Sequence, residues 1–545
     1  MTRRLVVGAL MILALACVAG HAAATPPSTP STQAEITALY PNPVAYGDAG
    51  EFVTVTFPTA TDTTGWTISN DAGAAVRLPA GTHTGTVTFA LSSPPDAAPG
   101  SVTTVSGHMH LTNDGDVITL RTATGRTVDT VRYGRAPEAD LYRPEEGWEP
   151  LGATAFDPAV HPNATVTSFL LPDAPEVVAS TLADAEDRLL LGGYTLTSQR
   201  VSAALIDAHR RGVTVGVVLE GEPVGGVTER QVRVLDRLTA AGVPVTVIDG
   251  PYARYQNHHP KYAVVDDSAL VLTENWKPTG VGGRSSRGWG VLVHAAPFAD
   301  ALAEIHAADT GYRDGIAWTA HRETLTPVAA ASANDTFSSR FSPERTHDSR
   351  VELLVTPDNA DTELRRLLAG AQESIYIQQV GVDPEFSLLN ETLTAARRGV
   401  TVRLLLSSAW YAEADNRQLA TDLERLATRE QLDLDVRLID PRSRFAKSHT
   451  KGIIVDERHV VVGSLNWNPT ALYDNREVMV QVTDPAAGGY FTAAFEADWH
   501  GGQSGLPYSF AGAIALAWIG TGTFLVRRLR WGTPVDTDET PRLSL

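Results

Sequence analysis

Two different periodicities divide the chain. Between residues 35 and 135 apolar and polar positions alternate in short runs, such as Glu51-Phe52-Val53-Thr54-Val55 and Gly65-Trp66-Thr67-Ile68-Ser69, and Gly, Asn and Asp interrupt them every few positions. Alternation with period two and frequent turns predicts short strands with one buried face each, hence an all-β sandwich. From about residue 165 the pattern changes to Ala/Leu-rich helical stretches that stop at glycine and lead into apolar runs. The hexapeptide Arg210-Arg211-Gly212-Val213-Thr214-Val215 recurs unchanged at Arg397 to Val402, and each copy is followed by a further helical stretch, 229–241 and 418–429. Helix, glycine stop and buried strand in alternation predict two similar α/β units, 165–320 and 350–500, each with a largely parallel sheet and crossover helices. The Ala-, Ser-, Thr- and Pro-rich stretch 326–349 reads as the linker between them.

Both ends read as membrane signals. Arg3 and Arg4 precede an apolar run from Leu5 to Ala19 and then Ala22-Ala23-Ala24, the pattern of a signal peptide over residues 1–24. Residues 508–526 carry no charge and are followed by Arg527, Arg528 and Arg530, which predicts a transmembrane helix with 527–545 as a cytoplasmic tail. The expectation is a single-pass protein of the cell membrane whose body lies on the extracytoplasmic side. The one cysteine, Cys17, falls in the leader, so the folded part has neither a disulfide nor a Cys-ligated metal.

Charge narrows the chemistry. With 44 Lys+Arg against 63 Asp+Glu, the 545-residue chain has a formal charge of −19, which repels nucleic acid and anionic lipid at long range. Phosphate chemistry would therefore need a locally cationic pocket. Of the 44 basic residues only Lys261, Lys277, Lys447 and Lys451 are lysines, and they fall in two short segments, one in each repeat. Where positive charge is otherwise written as arginine, these positions call for a compact ammonium.

Each segment carries the pattern HxKxxxxD: His259, Lys261 and Asp266 in one, His449, Lys451 and Asp456 in the other. Apolar runs follow each lysine, so the motif opens a strand on which His and Lys, two apart, share a face. The Asp stands at the strand end where a turn begins. A returning strand leads to Thr273 and Asn275, or to Ser464 and Asn466, again two apart. Two such sets around one phosphodiester would form a single site. A neutral imidazole attacks phosphorus, a protonated one gives a proton to the departing alkoxide, and Lys, hydroxyl and amide groups bind the non-bridging oxygens, so no metal or other cofactor is required.

On these paired motifs the chain resembles the phospholipase D superfamily, in which two HKD motifs meet at a pseudo-twofold axis. That resemblance implies a phosphodiesterase acting through a covalent phosphohistidine, with His259 as nucleophile and His449 as acid. It also implies that Glu477, in Asn475-Arg476-Glu477, supports a catalytic histidine. The second copy is complete, with GSLNW at 463–467. The first departs: Leu272-Thr273-Glu274-Asn275 replaces the GSxN pattern, Gly290 stands where the acid is expected, and Glu274 should point to the other face. Lys277 and Lys447 would widen the cationic mouth, and His258 lacks the lysine and aspartate spacing. The order EFVTV, GWTIS, Leu78-Pro79 and 116–134 is similar to a lamin tail domain, with a generic immunoglobulin-like module as the alternative. Substrates implied are phospholipid head groups or nucleic acid. A nuclease proper, a cardiolipin-synthase-like phosphatidyltransferase and a catalytically idle binding or scaffold protein are the alternatives. Because the two fused halves can complete one site, a monomer is expected.

Overall fold

The computed structural model describes residues 33–501 except 44–47, 93, 95–97, 152–153, 251–252 and 330–334. The expected signal peptide and transmembrane helix lie outside the described residues, and within them no helix is long and apolar enough to cross a membrane. The N-terminal body is a sandwich of two sheets. One runs in the order Gly147–Pro150, Asp140–Arg143, Glu35–Tyr40, Phe52–Asp62, Thr82–Ala90, Ser101–Thr104, and the other Ser106–His108, Ala75–Arg77, Thr67–Ser69, Asp116–Arg121, Thr127–Tyr133. Alternate residues Val53, Val55 and Phe57 meet Ile118 and Leu120 in the core between the sheets. The expected boundary at 135 falls short: Leu39 pairs with Tyr142, and the hairpin partner of Asp140–Arg143 extends the sandwich to Pro150. Those two strands have four residues each, too short for an alternation to stand out from a linker.

The remainder is one body built around a continuous 16-stranded sheet among the described residues. Ala159–Leu171 and Glu344–Thr356 pair antiparallel at its centre, joining the halves. Outward from the first come Ser286–His294, Ser268–Leu272, Lys261–Val265, Arg188–Gly193, Thr214–Glu220, Val245–Ile248 and Gly315–Ala317; outward from the second come Glu477–Thr483, His459–Gly463, Gly452–Val455, Ser374–Gln379, Thr401–Leu406 and Leu434–Leu438. Apart from the two-residue strand Lys447–Ser448, parallel pairing is confined to strands 188–193, 214–220 and 245–248 and their counterparts 374–379, 401–406 and 434–438. The sheet is therefore mixed and not largely parallel as expected, because the motif strands return through tight hairpins that force antiparallel pairing. The linker is also shorter than expected, since its last residues already belong to the central strand Glu344–Thr356.

Local sequence explains the crossovers. Thr228 caps Glu229–Ala240 by accepting from the Gln231 amide at 3.2 Å, and Val232, Leu235 and Leu238 fall on one buried face. Gly242, at φ +90°, ends the turn in the left-handed region. The second crossover helix, Glu413–Glu430, begins five residues before the expected start at 418. On the opposite face, helices Ala296–Gly311 and Pro485–Trp499 bring Phe298, Leu302, Phe491 and Phe495 against Val166, Val291, Leu353 and Val480 in a core shared by both halves. This shared core lets one half hold the other's histidine motif in register.

Candidate active site

Each motif enters the site by docking on the other half. The His259 amide donates to the Arg476 carbonyl at 2.9 Å, and the His449 amide donates to the Arg287 carbonyl at 2.9 Å. Lys447–Ser448 adds as a short parallel strand to Ser286 and Arg287, and His258 bridges to Arg476. These equivalent crossed attachments place both imidazoles at the seam between the halves.

The His259 imidazole lies with Nδ1 at 2.8 and 2.9 Å from the two carboxylate oxygens of Glu477. Asn475 Nδ2 donates to the same carboxylate at 3.1 Å. The Tyr194 ring packs edge-on against His259, 4.7 Å between centroids, and Lys261 Nζ lies 5.6 Å from that ring. The His449 Nδ1 donates to the Thr273 carbonyl at 3.1 Å, and Lys451 Nζ lies 3.1 Å from both His449 ring nitrogens. Both ammoniums also reach back to backbone: Lys261 donates to the His259 carbonyl at 2.5 Å and Lys451 to that of His449 at 3.0 Å.

Electrostatics couples these groups. Burial, then Lys261 and Lys451, pushes the His259 imidazole well below its ordinary value; burial, Lys451, Lys261, Lys447 and His259 do the same to His449. Lys451 is pushed down to about 7 by burial and Lys261 is lowered well below its usual range, while burial lifts Glu477 to about 8 against the pull of Lys261. Lys277 is lowered by burial and by Lys447, so all four lysines of the chain act on this one pocket. A pocket that presses cations together favours an anion between them. Among the described residues no group of three His, Cys, Asp or Glu side chains is arranged to hold a metal ion.

Several sequence-based assignments need correction. Asp266 and Asp456 do not line the pocket. Asp266 caps the far end of its strand, accepting from the amides of Glu186, Asp187 and Arg188, and Asp456 accepts from Gln372, Glu373 and Ser374 in the same way. Both sit at positive φ in the hairpin turn, about 16 Å along the strand from the lysine. The shared face that unites His and Lys does not extend to a residue beyond the strand. Thr273 and Ser464 are fully buried with their hydroxyls accepting from the amides of Trp289 and Val478, so they fasten the hairpin behind the pocket, and Ser464 also hydrogen-bonds Glu477. Asn275 and Asn466 are half-buried, and the Asn275 amide oxygen has no hydrogen-bond partner among the described residues. The strand register also moves the equivalent of Glu477 from Gly290 to Gly288, and Glu274 faces inward, 3.6 Å from His449 Nδ1. His258 is held by buried Asp309 at 3.1 Å, outside the pocket. Tyr194 and the supporting role of Asn475 were not anticipated; only the latter's neighbour Glu477 signalled it.

Because Asp266 works through backbone amides, its replacement by alanine is expected to lower stability by roughly 1.5–3 kcal/mol while leaving kcat within a fewfold of wild type. Its carboxyl is held below the usual range by those three amides despite the opposing effect of burial. That contribution is therefore present above the ordinary carboxylate value and lost as pH falls through the lower folded value. Urea unfolding at pH 7 and pH 3 checks both statements; a collapse of kcat in a stably folded variant would contradict them.

Comparison with known proteins agrees with the paired site. The family described as "Cardiolipin synthase, PLD-like domain" matches residues 178–309 and 364–499, a match that covers both histidine motifs and does not reach the sandwich. The chain belongs to the phospholipase D superfamily. It is 25% identical over 324 residues to cardiolipin synthase B of Salmonella typhi, covering 56% of this chain and 73% of that protein. It is 31% identical over 137 residues to phospholipase D of Rickettsia prowazekii, covering 25% of this chain and 61% of that protein. Among solved structures, phosphatidylserine synthase of Haemophilus influenzae matches with a TM-score of 0.44 at 14% identity, over 62% of this chain and 86% of that one.

Proposed function

We propose that the protein cleaves or exchanges phosphodiesters of phospholipid head groups through a covalent phosphohistidine. The observation that carries this reading is the seam itself: two imidazoles, one from each half, in a pocket that gathers every lysine of the chain. His259 Nε2 attacks phosphorus and the bond to the leaving alcohol oxygen breaks as His449 gives that oxygen its proton. Water, or a second alcohol in a transfer, then attacks phosphorus, loses its proton to His449 and releases His259. The ammoniums of Lys261 and Lys451, with Asn275 and Asn466, take the non-bridging oxygens. Side chains supply every step, so activity is expected to persist in EDTA.

The rim favours lipid over nucleic acid. Val224 and Trp410, 87% and 88% exposed, project from the loops after equivalent strands Thr214–Glu220 and Thr401–Leu406, with half-exposed Tyr411 beside Trp410. Both loops touch the site: the Val224 amide donates to the Tyr194 hydroxyl at 2.6 Å, and Lys447 Nζ lies 5.4 Å from the Tyr411 ring. Large apolar tips around a cationic mouth suit the boundary between head groups and acyl chains. The names of the Salmonella and Rickettsia relatives support the same class, and the former keeps phosphatidyl transfer open. In this reading the leader exports the body and the apolar segment 508–526 tethers it to the outer side of the cell membrane as a monomer, where the substrate is met in the plane of the bilayer.

The test compares the chain on phosphatidylglycerol vesicles, plasmid DNA and a soluble chromogenic phosphodiester, with EDTA present, and with glycerol added to detect transfer. Trp410→Ala is expected to lower the rate on vesicles about tenfold and leave the soluble substrate unaffected, since an interfacial aromatic contributes on the order of 1–2 kcal/mol. Plasmid cleavage with no action on vesicles would reject the lipid reading.

A further inference from the structure

The two halves share their strand register, and that register isolates one break in the repeat. Leu272 faces Gly290 across the first hairpin's outer strand as Gly463 faces Met479 in the second. Two residues earlier on those partner strands stand Gly288 and Glu477, so Gly288 occupies the position from which Glu477 holds His259. The first half thus has no acid on that strand to serve His449.

The space is not left empty. A Cβ built at Gly288 would lie 2.3 Å from Glu274 Cγ and 2.9 Å from Glu274 Oε1. Glu274 comes from the neighbouring strand end, where the second half has Leu465, and its side chain fills the volume that the glycine opens. It is 3% exposed, its Oε2 lies 3.6 Å from His449 Nδ1, and its Oε1 has no hydrogen-bond partner among the described residues. A buried carboxylate with an oxygen left without a hydrogen bond costs several kcal/mol unless charge compensates it, and Lys451, Lys447, Lys261 and Lys277 all act on it.

We propose that Glu274 is the positioning residue of His449, an acid relocated from strand position 288 to position 274 that reaches the imidazole through the space left by Gly288. The Thr273 carbonyl accepts the Nδ1 proton and fixes the tautomer; the carboxylate supplies the negative charge that stabilises the imidazolium. Burial lifts Glu274 to about 8 and lowers His449, so the pair retains one proton at neutral pH. A phosphodiester anion entering the pocket favours the ionised pair: Glu274 gives up its proton to solvent, and Nε2 of His449 takes one from solvent while Nδ1–H stays on the Thr273 carbonyl, so the imidazolium carries on Nε2 the proton the leaving group needs. Departure from the family pattern in the first half is then a rearrangement of the same parts and not an erosion of the site.

This inference rests on the reading of His449 as acid and base, and its test separates the two. Glu274→Leu gives the first half the residue of the second, Glu274→Gln keeps the shape and removes the charge, and Glu274→Leu/Gly288→Glu returns the acid to the strand. Turnover and the titration of His449 followed by ¹⁵N NMR are measured on each, the lysines and His259 that also face His449 being unchanged throughout. Both single variants are expected to lose on the order of 10²-fold in kcat with little change in KM, the cost of a misplaced catalytic group, and to titrate at lower pH than wild type. The double variant is expected to recover kcat to within about tenfold of wild type and to restore the titration. Folded Glu274→Gln with wild-type kcat and an unmoved His449 titration overturns the inference, as does a folded double variant no more active than Glu274→Leu. If the wild type turns over no phosphodiester yet the titration follows position 274, the pairing stands and the enzymatic reading fails.

Discussion

His259→Ala is expected to abolish turnover, by on the order of 10⁴-fold or more, because the substitution removes the imidazole nitrogen that forms the covalent intermediate. His449→Ala should behave differently with the leaving group. On a phospholipid, whose alkoxide needs a proton, it should be as inactive as the first variant. On a phosphodiester with an activated phenolate it should form the phosphoenzyme in a burst and then stall, since water no longer has a base to take its proton. Quenched labelling with a ³²P substrate should leave acid-labile label on the peptide containing His259. Label on the peptide containing His449 would exchange the two roles, and wild-type rates in His259→Ala would remove the proposed chemistry altogether. The neutral state to which burial and the lysines hold His259 is the state a nucleophile requires, and the tight Glu477 pair orients its Nδ1 so that Nε2 faces outward.

The residues that meet at this seam were readable because two lysine-bearing motifs recur at fixed spacing in a chain otherwise almost without lysine. A two-residue step on a strand sets His and Lys side by side whatever the rest of the fold does, and both pairs converge as that step implies. Beyond the strand the same rule has no force. Asp266 and Asp456 lie past the turn, where backbone amides of a neighbouring loop claim their carboxylates, and nothing in the spacing distinguishes a cap from a catalytic acid. Glu274 was misplaced for a related reason. Alternation assigns it to the face opposite Thr273, but the strand Ser268–Leu272 ends just before it, and a glycine on the next strand leaves room for the side chain to enter the pocket. That vacancy depends on register across the sheet, which only the pairing of distant strands reveals. The parallel character of the sheet was overread because repeated helix-to-strand hexapeptides mark the outer parallel strands, while the inner antiparallel ones carry no such signature.

Arg476→Ala is expected to destabilise the α/β body by about 3–5 kcal/mol, the cost of leaving buried carboxylates without their cation. Arg476 is fully buried, with Nε 3.1 Å from Asp309 Oδ1 and Nη1 3.0 Å from Asp358 Oδ1, and it also donates to the Thr356 carbonyl, Thr154 and the Tyr255 hydroxyl. Asp309 belongs to the first half and Arg476 to the second, so this network fastens the halves together. Its counterpart is Arg287, which joins Asp173 of its own half at 2.5 Å and Asp498 of the other at 3.0 Å, with Arg444 completing the pair. The carbonyls of these same two arginines receive the amides of His259 and His449, so the clamp and the catalytic geometry are one construction. Loss of the guanidinium should therefore lower kcat as well as the urea midpoint, whereas Asp266→Ala lowers only the latter. Asp309 is driven far below the ordinary carboxylate value: burial opposes this, but Arg476 and His258 outweigh it. Its contribution is present above the unfolded value and lost as pH falls through the folded one. An Arg476→Ala protein that unfolds within about 1 kcal/mol of wild type would mean that the apolar core of Phe298, Phe491 and Phe495 holds the halves in register unaided. Pairing Arg476→Met with Asp309→Leu should recover part of the loss, since the second change removes a carboxylate that the first leaves uncompensated.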